Sequence, residues 1–68
     1  MEELRQKLQS RMDRHATVIE AIVEGEAEYF KINGKPTPRK VQYSERMGRI
    51  YELSQIAEML GIELIRRV

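Results

Sequence analysis

The chain has no cysteine and no tryptophan, a single histidine, one phenylalanine and two prolines. Without cysteine there can be no disulfide and no thiolate zinc site, which fits a reducing compartment and sets the expected location as the cytoplasm. One histidine (His15) and one aspartate (Asp13) leave too few ligands for an imidazole-based metal centre, so neither a metal nor another cofactor is expected. The same scarcity argues against catalysis. Ser10, Ser44 and Ser54 have no evident base, and the paired glutamates Glu26 and Glu28 lie beside basic residues. No apolar run approaches the ~20 residues that a membrane span requires, and the polar, acidic start MEELRQKLQS does not read as a signal peptide.

What is present is charge in quantity and a modest apolar complement. Charged residues make up 34% and apolar residues 41% of the 68 positions, which reads as one small folded domain over 1–68 rather than a disordered chain. A chain this short buries only about 60% of its unfolded surface, so a partner that covers more of it is an economical source of stability. The net charge of +1 conceals an asymmetry. Lys31, Lys35, Arg39, Lys40, Arg46 and Arg49 crowd one segment with only Glu45 against them, while Glu20, Glu24, Glu26 and Glu28 precede it.

Periodicity divides the chain. Leu4, Leu8, Met12, His15 or Ala16, Ile19, Ile22 and Val23 recur at helical spacing, predicting a helix over 2–24 with Glu2 and Glu3 favoured in its first turn and Gly25 as its stop. EAEYFKIN then has aromatic and β-branched residues and ends in Asn33-Gly34, a strong signal for a two-residue hairpin turn. In that register Pro36 and Pro38 fall at positions that make no cross-strand hydrogen bond, so 37–43 reads as an outer edge strand. Ser44 reads as the cap of a second helix whose face is Met47, Ile50, Leu53, Ala57 and Leu60, stopped by Gly61. IELIRRV, short and branched, reads as a third strand.

The expected fold is therefore α+β, in the order α-β-β-α-β. It has a three-stranded antiparallel sheet of order 2-1-3 with two helices on one face. Two surfaces follow. The uncovered sheet face would carry Tyr29, Lys31, Lys40 and Arg67, with Lys35 and Arg39 at the edge. An aromatic ring among cations suits single-stranded nucleic acid, the ring stacking on a base while the cations hold phosphates. A helix of 2–24 would be about 33 Å long and a seven-residue strand only about 23 Å. The first turns would then overhang the sheet and present Leu4, Leu8 and Met12 as an interface for a protein partner or for a second copy in a homodimer.

One further pattern competes with this arrangement. LSQIAEMLGIEL, with Ala57, Gly61 and Ile62 at the characteristic spacing, resembles the first half of a helix-turn-helix DNA-binding motif. The resemblance implies DNA binding, but only seven residues follow Gly61, too few for a recognition helix of two or three turns. The functional expectation is a small, non-catalytic binding or regulatory protein acting by surface contact, of the size of phage-type or accessory modulators of larger proteins. Nucleic-acid binding is the alternative.

Overall fold

The computed structural model describes residues 2–38 and 41–68. Among them there is no strand: the fold is an antiparallel pair of helices, α1 (Glu2–Asn33) and α2 (Val41–Met59), with an extended segment, 62–68, laid along α1. The three-stranded α+β sheet inferred from the sequence is thus overturned. The longest dimension, 48 Å, is the length that 32 residues of α-helix produce.

The core lies on the helical stripes that periodicity located, but it encloses Leu8 and Met12, which the sequence reading set in an exposed interface. Leu8, Met12, Ala16 and Ile19 from α1 interleave with Ile50 and Leu53 from α2, and Ala57 is buried nearby. Met12, Ile19 and Ile50 are the largest side chains that are fully enclosed. Tyr43, Met47, Ile62, Leu64 and Val68 seal the edges. At about 25 cal/mol per Å² of apolar surface removed from water, such interdigitation is the principal force that holds two otherwise polar helices together.

Each departure from the sequence reading has a local cause. Gly25 does not stop α1, because a mid-helix glycine costs only about 1 kcal/mol and the residues around it (Glu24, Glu26, Ala27, Glu28) are acceptable or good helix formers. The helix therefore runs through EAEYFKIN and ends at the Asn33-Gly34 pair. Gly34 has φ 70° and its N–H donates to the Phe30 carbonyl at 2.7 Å, a left-handed helix cap. Asn33 Nδ2 also donates to the Tyr29 carbonyl at 3.0 Å. A type I′ turn and this cap both demand a glycine at positive φ, so the dipeptide alone does not separate them. Pro36 and Pro38 accordingly lie in the connection between the helices rather than on an edge strand.

At the end of α2 the glycine stop falls where its residue type placed it. Gly61, at φ 69°, donates to the Glu58 carbonyl at 3.1 Å and Ile62 to the Ala57 carbonyl at 2.8 Å, the paired bonds of a Schellman ending. The chain then turns back. IELIRRV is extended, as its branched residues suggest, but its partner is a helix. The side-chain amide of Gln9 donates to the Ile65 carbonyl and accepts from the Ile65 N–H, both at 2.8 Å. That two-point pairing is what a neighbouring strand would have offered one residue, and Gln9 is itself steadied by donating to Asp13 at 3.0 Å. Further along, Arg67 donates to Thr17 Oγ1 at 2.9 Å and pairs with Glu20. Gln9, Asp13, Thr17 and Glu20 form one row at helical spacing, so the segment lies along a single flank of α1.

Candidate functional site

On the opposite flank of α1 two open depressions follow one another along the helix and together form a groove. From α1 it is lined by Arg11, His15, Val18, Ile22, Gly25 and Tyr29, spaced by three and four residues and hence one continuous row. From α2 it is lined by Gln42, Arg46, Arg49, Leu53 and Ile56, likewise one row. The groove has two halves of different chemistry. Its first half, about 580 Å³, is bounded by Arg11, His15, Arg46 and Arg49, with Glu45 and Glu52 at the rim and Leu53 and Ile56 beneath. Its second half, about 510 Å³, is mainly apolar, with Val18, Ala21, Ile22 and Tyr29 meeting Thr37 and Gln42, and Thr17 and Glu26 also line it.

His15 is the hinge of the basic half. Arg46 Nη1 donates to His15 Nδ1 at 3.0 Å, which requires the ring to be neutral with its proton on Nε2. Burial pushes the imidazole pKa down, and the nearby charges of Arg46, Arg49 and Arg14 push it the same way. Arg49 is in part neutralised by Glu52 at 4.0 Å, whereas Arg11 and Arg14 make no ion pair among the described residues. Leu53 is buried and Ile56 half-exposed, so the cations of this mainly polar half stand beside only a small apolar surface.

The sign of the His15 effect on stability follows. Above its unfolded-state pKa of ~6.5 the ring is neutral in both states, and the Arg46 bond is intact. As pH falls below that value the unfolded chain takes up the proton first, so stability declines toward the lower folded-state pKa. Between pH 7.5 and 5.5 the wild-type melting temperature is expected to fall, and His15→Gln, which keeps an acceptor for Arg46, to flatten that dependence. Thermal melts of both chains at the two pH values measure it. An equal slope in the two proteins would show that His15 is not the source of the dependence.

The residues selected from sequence are scattered by this fold. Tyr29 lines the apolar half of the groove, while Lys31, two positions on along the same helix, projects away from it. Lys35 is exposed in the connection, and Arg39 and Lys40 lie outside the described residues. Arg67 is engaged with Thr17 and Glu20 on the other flank. The basic and aromatic open face disappears with the sheet that was to carry it. Of the three interface residues, Leu8 and Met12 are enclosed in the core and Leu4 is exposed near the helix start. The expected overhang also reverses, since it is the last turns of α1 that extend past α2, with Phe30 55% and Ile32 78% exposed. For the helix-turn-helix resemblance, Gly61 ends a helix as that motif requires, but 62–68 is extended, so no recognition helix follows.

The arginine cluster itself was missed. Its signal was present in the spacing: Arg11, Arg14 and His15 flank the apolar stripe of α1, and Arg46 and Arg49 flank that of α2. Only the pairing of these two helices makes one surface of them. No helix among the described residues is long and apolar enough to cross a membrane. Nor, among them, is there a cluster of potential ligands that could hold a metal ion. No protein-family model matches the sequence, and neither a curated protein nor a solved structure matches the chain.

Proposed function

We propose that this chain is a non-catalytic binding module, cytoplasmic in setting, that docks a protein segment in the interhelical groove and serves a larger assembly as an accessory or regulatory part. The observation that carries this is the composition of the groove. Arginines at one end favour carboxylates, and Val18, Ile22 and Tyr29 at the other favour apolar side chains. An acidic amphipathic segment matches both halves at once, with guanidinium groups forming bidentate bonds to carboxylates. A phosphate backbone matches only the first half, where Glu45 and Glu52 would repel it.

Fluorescence anisotropy with two labelled probes separates these partners: an acidic amphipathic peptide of alternating glutamate and leucine pairs, and a twenty-nucleotide oligothymidylate. The peptide is expected to bind, to tolerate moderate salt, and to lose affinity in Arg46→Ala and Ile22→Ser. Oligonucleotide binding with a log–log salt slope near −2.8, the value for about four phosphate contacts on a single strand, would transfer the groove to nucleic acid. Binding of neither probe by the monomeric chain would remove the groove as a docking site.

A further inference from the structure

On α1, Arg11, Arg14, Val18, Ala21, Gly25 and Glu28 recur with alternating spacings of three and four, the seven-residue repeat of a helix–helix seam; Arg11, Val18, Ala21 and Gly25 line the groove, and Arg14 and Glu28 stand just beyond its edge. This row is basic at its first end, small and apolar in the middle, and acidic at its last. Turned end for end, it is complementary to itself. We propose that a second copy of this chain covers the α1 edge of the groove, the two α1 helices pairing antiparallel about a two-fold axis between Ile19 and Glu20. The inference rests on the protein-docking reading of the groove and names the partner.

The register follows from the repeat. Antiparallel seams set each first-type position against a second-type position, so Arg11 faces the partner's Glu28, Arg14 faces the partner's Gly25, and Val18 faces the partner's Ala21. The two-fold repeats each contact, as an isologous interface must. The partner's Glu28 then lies between Arg11 and Arg14, which like Glu28 have no ion pair among the described residues of one chain.

Two independent observations support this occupant. A side chain at Gly25 would meet nothing within 4 Å in its own chain, so no intramolecular packing accounts for a glycine in the middle of a 32-residue helix. Opposite Arg14 of a second copy, the missing Cβ provides room for the arginine stem. The second observation is area. The chain exposes 5289 Å² at a mass of 8.0 kDa, whereas a compact monomer of that mass exposes about 4,450 Å². The excess is close to the ~800 Å² that one partner contributes to a standard interface.

Sedimentation equilibrium of the whole chain between 10 µM and 1 mM tests the proposal, with circular dichroism as the check on folding. Wild-type protein is expected to dimerise. Arg11→Glu and Glu28→Arg, both at exposed positions, are each expected to weaken the dimer at least about tenfold, and the double reversal to restore it. Gly25→Ala is expected to raise the melting temperature of dilute monomer while weakening the dimer, a combination that a purely structural glycine would not give. A chain that stays monomeric yet binds the acidic peptide would overturn the self-pairing and leave the docking groove standing. A dimer indifferent to both single reversals would place the contact elsewhere and equally overturn it. Monomeric behaviour with no peptide binding would remove both readings.

Discussion

Ile50→Ala is expected to lower the melting temperature by about 8–40 °C, as large an effect as truncating Met12 or Ile19, the other fully enclosed side chains. Ile50 is fully enclosed, at 0% exposure, where α2 meets Met12, Ala16 and Ile19 of α1. Removing its outer carbons forfeits their transfer free energy and leaves a cavity that two short helices cannot close without moving apart, a cost of about 2–5 kcal/mol. For a domain of 60–100 residues each kcal/mol corresponds to about 4–8 °C. Among the described residues there is one interhelical layer and no second core to compensate. Differential scanning calorimetry measures the shift, and Ile50→Val, at about 0.5–1.5 kcal/mol, gives a graded check where the alanine variant unfolds outright. A shift for Ile50→Ala no larger than that for an exposed position such as Ile56→Ala would contradict the packing described.

Gln9→Ala is expected to release residues 62–68 from α1. The Gln9 amide makes both hydrogen bonds to Ile65, each 2.8 Å, and among the described residues no strand is there to replace it. Each such bond contributes about 0.5–1.5 kcal/mol net, so the loss amounts to ~1–3 kcal/mol and about 5–20 °C. The readout that separates this from a general loss of stability is local. Amide hydrogen exchange should accelerate at Ile65 while Ile50 and Leu53 keep their protection relative to global unfolding. Gln9→Glu adds a second comparison: the carboxylate still accepts from the Ile65 N–H but sets negative charge against the Ile65 carbonyl. It should therefore leave the segment as loose as the alanine does. Unchanged exchange at Ile65 in either variant would show that Ile62, Leu64 and Val68 hold the segment by packing alone.

How far the fold was legible depends on the element. The apolar stripe of α1 and the face of α2 announce themselves because a 3.6-residue period is a long-range pattern that few alternatives mimic. The turn of the chain at Gly61 and the extended character of IELIRRV are equally legible, one from glycine's access to positive φ and the other from β-branching. EAEYFKIN was not. A short run with Tyr29, Phe30 and Ile32 satisfies a strand or a helix, and Asn33-Gly34 satisfies a hairpin or a cap. Once that segment was read as a strand, the edge position of the prolines and the sheet order followed, and all of them fell together. In the helix Phe30 and Ile32 remain largely exposed, which no propensity scale anticipates.

The sequence by itself determined that this is a small folded chain without disulfide or thiolate zinc chemistry. It also determined the apolar stripes of the two helices, since these depend on spacing within each helix; that Leu8 and Met12 are enclosed rather than an exposed interface was not among what it determined. What only the tertiary structure decided is where separate stripes meet. Gln9 and Ile65 are 56 positions apart and Arg46 and His15 are 31 apart, and no local pattern encodes either pairing. The antiparallel docking of α1 on α2 brings Arg11, His15, Arg46 and Arg49 into one groove, and the reversal at Gly61 sends the last residues along the opposite flank. The physical reason is that core packing fixes the relative rotation of the helices, and every polar residue on their flanks is carried into place by that choice.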